Sequence, residues 1–118
     1  MIKLKELKSI LDELGINVVY DDFQGSKELT PHIPFISYFV EKSTPTAADN
    51  VVFSESVDVM IELYTNKKDL ALENKLKKIL TKNGIYYESQ SSSNPEKNLH
   101  IEYIQINILL WLFFYLWR

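Results

Sequence analysis

Val51–Leu80, VVFSESVDVMIELYTNKKDLALENKLKKIL, changes its hydrophobic rhythm part way along. Val51, Phe53, Val57, Val59, Ile61 and Leu63 share one parity, interrupted by Glu55, while Ser54, Ser56, Asp58 and Glu62 take the other. Side chains of a strand alternate between its faces, so this is the pattern of a half-buried β-strand. Past Thr65-Asn66 the apolar residues Leu72, Leu76, Ile79 and Leu80 recur at the spacing of one helical face. A long strand therefore feeds an amphipathic helix. Asn66 is its expected N-cap, with Asp69 in support, and Gly84 its expected stop. Glu73 and Lys77 have the order of a helical i,i+4 ion pair, and the remaining lysines of the helix read as a solvated face.

Upstream, Leu4, Leu7, Leu11 and Leu14, with Ile10 alongside, make a stripe over a first helix of about Ile2 to Leu14, ended by Gly15. Ile16 to Phe23 has strand composition, and Gln24 to Pro34 reads as a loop broken by Gly25, Pro31 and Pro34. Phe35 to Val40 is apolar on both parities, as in a strand covered on both sides. Lys42 to Asn50 reads as its polar connection to the long strand. At about 3.3 Å per residue a continuous Val51–Tyr64 spans roughly 45 Å, more than so small a body needs. The hairpin Phe35–Tyr64 is thus expected to project its tip, near Pro45 to Phe53, with a bulge near Glu55 as the alternative.

Downstream, Ile85 to Ser89 reads as a short strand and Gln90 to Asn98 as a loop. In Leu99 to Ile108 the apolar parity changes between Tyr103 and Ile104, for which a bulge is the expected cause. LKSILDELGI at Leu7–Ile16 and LKKILTKNGI at Leu76–Ile85 agree at six of ten positions, which suggests two equivalent helix–glycine–strand units. The expected fold is α+β and two-layered, in the order α-β-β-β-α-β-β. Its sheet is mainly antiparallel, with both helices on one face and a long projecting β-hairpin.

The chain of 118 residues suits one domain, with 46% apolar and 25% charged residues. Cysteine is absent, so no disulfide or thiolate metal site exists. A net charge of −3 gives no basic excess for general binding to nucleic acid or anionic lipid. The start of the chain, rich in Lys and Glu, lacks the apolar core of a signal peptide.

Residues 1–108 make up the expected domain, and 109–118 an apolar extension. Ile108–Trp117, ILLWLFFYLW, is ten apolar residues long, about half of a membrane-spanning helix. Three readings compete: a strand or short helix docked on the domain or a neighbouring copy, an interfacial anchor, and an accidental extension. The anchor reading, through Trp111, Phe113, Phe114 and Trp117, gives the alternative function of a small membrane-associated effector.

Signals for chemistry are few. His32 and His100 have no zinc-type or triad spacing and read as surface residues. The glycines are too scattered for a phosphate loop, and Asp21-Asp22 and Asp49-Asn50 lack calcium-loop spacing. The aromatic residues alternate with aliphatic core positions, without the cationic groove of a single-strand binder. The chain therefore reads as no enzyme, with no catalytic residue, cofactor or metal expected.

IELYTNKKDLALENKLKKIL, with the opening LKELKSILDELGINVVYDDF and the central PFISYFVE, resembles the tail terminator (tail completion) family of tailed phages and prophages. The likeness covers about Leu4 to Ile108, and LLWLFFYLWR departs from the family's pattern. The resemblance implies a homo-oligomeric ring, commonly a hexamer, that caps the tail tube protein and meets the head-side connector protein. It places the protein in the virion at the head–tail junction, after synthesis in the bacterial cytoplasm. Apart from the resemblance, the net charge argues against a specific nucleic acid partner, and the short apolar run, without a charged face or basic cluster, argues against a membrane. The expected protein interface comprises Thr44, Pro45, Thr46, Asp49, Val51 and Phe53 of the hairpin, with Trp111, Phe113, Phe114 and Trp117.

Overall fold

A computed structural model describes residues 3–20, 32–48 and 51–112, of which 43–48, 51–55 and 109–112 are described as backbone. The elements are α1 (Leu4–Asp12), β1 (Asn17–Tyr20), β2 (Phe35–Ala48), β3 (Val51–Thr65), α2 (Leu70–Lys82), β4 (Tyr87–Asn94) and β5 (Leu99–Leu112). Their order is the one read from the sequence, and the sheet runs β1-β2-β3-β5-β4. Only β1 and β2 pair in parallel; the other three neighbours are antiparallel. The architecture is α+β.

Both glycine stops are present. Gly15 and Gly84 have φ of +79° and +73°, a left-handed conformation that a residue with a Cβ adopts only with strain. The internal echo also has a structural counterpart. Leu7, Ile10 and Leu11 of α1 and Leu76, Ile79 and Leu80 of α2 are all buried at matching positions. Each helix then turns at its glycine into an edge strand, β1 on one side and β4 on the other.

The core lies between the helices and one face of the sheet. Cross-strand rows supply it: Ile36–Leu63, Tyr38–Ile61–Ile104, Val59–Ile106 and Val57–Ile108. Phe35 and Tyr64 are partners on the opposite face, with rings stacked at 4.5 Å. Burial raises the pKa of Tyr38 above its usual 10.0, helped by the charges of Tyr20 and Asp12. The folded state thus holds this proton more tightly than the unfolded chain. Its contribution to stability is complete below pH 10 and is lost as pH rises through the raised value. Melting temperature followed upward from pH 9 should therefore fall beyond about pH 10, and Tyr38→Phe should make that fall shallower.

Several boundaries differ from the sequence reading. α1 is shorter, opening after Lys3, whose backbone N–H donates to Glu6 Oε1 at 2.7 Å. α2 is capped by Asp69, whose carboxylate accepts from the Leu72 N–H at 3.0 Å, and not by Asn66. The helix therefore begins three residues later, leaving Lys67 and Lys68 outside it. β2 continues through Thr44–Ala48, the segment read as a loop, because β3 offers a partner for each step apart from two bulges. Likewise β4 runs on through Gln90–Asn94: a polar serine run suits an exposed edge strand.

The bulge expected at Tyr103-Ile104 is not there. Glu62↔Tyr103 and Ile61↔Ile104 are regular partners, and the register shifts instead beside Glu55, opposite Leu110. His100, Glu102, Ile104, Ile106 and Ile108 form one uninterrupted inward parity. The apparent flip arose because two inward positions are polar. β5 also passes without a break through Ile108 to Leu112, so the first four residues of the apolar extension belong to the sheet.

The sheet changes width along its length. It has five strands at the row Tyr20–Tyr38–Ile61–Ile104–Ser89, and three from Lys42–Asp58–Asn107 outward. Residues beyond that row form an arm of β2, β3 and β5, and the principal extents with the arm included are 58 × 31 × 22 Å.

Candidate functional site

The end of the core opposite the arm holds a buried polar cluster. His100 and Glu102, two apart on β5, point to the same inward face, where they meet Glu73 from the first turn of α2. Their exposures are 1% for Glu73, 3% for His100 and 4% for Glu102. His100 Nε2 is 3.3 Å from Glu73 Oε2 and 3.8 Å from Glu102 Oε1.

Each member is also held from outside. Lys68 Nζ donates to Glu73 Oε1 at 2.9 Å, a contact made possible by the late start of α2. That hydrogen bond is the main cause that raises the Lys68 pKa above its usual 10.5. Lys77 Nζ lies 3.1 Å from Glu102 Oε2, so it reaches across to the sheet instead of forming the helical pair expected with Glu73. Ser93 Oγ, on the neighbouring strand, is 2.6 Å from His100 Nδ1. Thr65 Oγ1 donates to the His100 carbonyl at 3.4 Å. The three side chains are thus held by Lys68 from the segment before α2, Lys77 of α2 itself and Ser93 of β4.

Sequence reasoning missed this cluster and took His100 for a surface residue. Two signals could have found it. His-x-Glu on a strand places both side chains on one face, and Glu73 lies on the helical stripe of Leu76 and Leu80. His32, in contrast, is exposed, as expected.

The interface residues expected from sequence fall on the arm. Backbone register pairs Thr44 with Ser56, Pro45 with Glu55, Thr46 with Ser54, Val51 with Ala48, and Trp111 with Glu55. Pro45, Glu55 and Trp111 therefore share one row across three strands. Phe53 is in β3 at the register shift beside Ala47. Asp49, Phe113, Phe114 and Trp117 lie outside the described residues. Among the described residues no helix is long and apolar enough to cross a membrane.

Compared with models of protein families and with curated proteins, the chain matches none.

Proposed function

We propose that this chain is a structural assembly subunit that works through its arm. In line with the sequence likeness to tail terminators, copies of it would form a ring that caps a tail tube at the head–tail junction. The observation that carries the proposal is the difference between the arm's two edges. Along β2 the outer edge has a bulge between Val40 and Lys42, a charge at Lys42 and a proline at Pro45. These features all discourage the addition of another strand.

The β5 edge has neither charge nor proline. Past Ile106, where β4 ends its pairing, the run Asn107-Ile108-Leu109-Leu110-Trp111-Leu112 has no outer strand among the described residues. A bulge at Leu110 is its only irregularity. An apolar edge of this kind is completed by another chain. Contact between that edge and a different surface of the next copy is heterologous, and repeated heterologous contacts close into a ring or grow into a filament.

Light scattering on the full chain, alone and with a tailed-phage tube protein, tests the reading. A closed oligomer is expected, reduced to monomer by Leu110→Pro and weakened by the milder Leu112→Lys. A wild-type chain that stays monomeric at tens of micromolar, with and without tube protein, would overturn it.

A further inference from the structure

We infer that Glu73, His100 and Glu102 form a binding site for one divalent first-row transition ion, with Zn²⁺ as the representative case. This does not rest on the assembly reading, since the cluster lies at the other end of the core. Glu73 Oε2, His100 Nε2 and Glu102 Oε1 are buried and without a hydrogen-bond partner. One ligand atom from each residue can be chosen so that all three lie within 4.8 Å of one another. Ligands about 2.0–2.1 Å from a tetrahedral ion stand roughly 3.3–3.4 Å apart. The His100–Glu73 separation of 3.3 Å already has that length, and the 3.8 Å from His100 to Glu102 needs closing by about half an ångström.

The outer contacts strengthen the case. Lys68, Lys77 and Ser93 each occupy the other polar atom of one member, leaving the remaining atom aimed at the centre. Metal ligands are held in this way, a histidine giving its second ring N–H to an oxygen and each carboxylate bonded from behind. With the proton on Nδ1, His100 donates to Ser93 Oγ, and its Nε2 lone pair faces two carboxylate oxygens. Three electron-rich atoms then converge with no positive charge between them. A dication supplies it.

The donor set selects the ion. Mg²⁺ and Ca²⁺ favour six or more oxygen ligands, whereas one imidazole with two carboxylates suits zinc and its neighbours. A bound ion would join the first turn of α2 to the start of β5, so its binding free energy becomes folding free energy.

The test uses the full chain stripped with EDTA and dialysed. Titration with ZnCl₂ in a calorimeter at pH 7 should give one equivalent, and zinc at about 100 times its Kd should raise Tm by roughly 10 °C. MgCl₂ and CaCl₂ at the same concentration should leave Tm unchanged. Glu102→Gln should abolish the stoichiometric binding. Ser93→Ala, an exposed and mild substitution, should weaken it about 10–100-fold, which keeps the test valid if Glu102→Gln fails to fold. Glu88→Gln, on the exposed part of β4, should change nothing. The inference is overturned if zinc gives neither a stoichiometric heat nor a Tm shift. Affinity unchanged in both Glu102→Gln and Ser93→Ala, which would put the ion elsewhere, overturns it as well.

Discussion

Glu102→Ala is expected to lower stability by about 1–3 kcal/mol, because it empties a buried position at the core's end and takes a polar neighbour from the buried His100. Lys77 Nζ, 3.1 Å from Glu102 Oε2, loses its carboxylate, and His100 loses a neighbour at 3.8 Å. Against a typical total of about 5–15 kcal/mol, that is a large share. Replacing Glu73, His100 and Glu102 together by leucine should be far less harmful, between neutral and about 1–4 kcal/mol stabilising. The charges then no longer have to be desolvated, and Lys68 and Lys77, both partly exposed, can turn to water. Urea unfolding of the two variants with chelator present gives the comparison. A triple variant as unstable as the single one would show that the cluster is retained for stability alone.

The second large effect concerns the repeated helix unit. Leu11→Ala and Leu80→Ala should each cost about 2–5 kcal/mol, since both side chains are fully buried and alanine would leave a cavity. Their positions match in the echoed segments, so similar losses are expected from α1 and α2. A midpoint shift in urea at unchanged slope is the signature of an intact fold with less stability. A loss near zero for Leu11→Ala would mean that α1 is not an integral layer of the domain.

Element order was legible because the chain punctuates itself. Gly15 and Gly84 end helices at positive φ, and the change of period between Leu63 and Leu72 separates a strand from a helix. Burial followed the same letters: Leu7, Ile10 and Leu11 predict Leu76, Ile79 and Leu80. The reading failed where polarity and location part company. Lys42–Ala48 reads as a loop because its composition is polar and small, yet pairing with β3 draws it into a strand. His100 and Glu102 hid the inward face of β5, since hydrophobicity was the only guide to direction and a buried polar side chain reads in sequence like an exposed one. Their partners Lys68, Glu73 and Ser93 come from segments that only the folded topology brings together.

The central position of β3 also sets a timetable. β2 precedes it directly and can zip onto it at once, but its second neighbour, β5, comes only after α2 and β4, with His100 the partner of Thr65 35 residues later. At synthesis rates of about 5–20 residues per second, that gap lasts roughly two to seven seconds. Throughout it the nascent chain displays Val57, Val59, Ile61 and Leu63 beside a bare strand edge. Misassembly between polysomal neighbours is most dangerous during this interval, so a holdase that shelters β3 until β5 emerges would raise the yield of folded protein more than one acting after release.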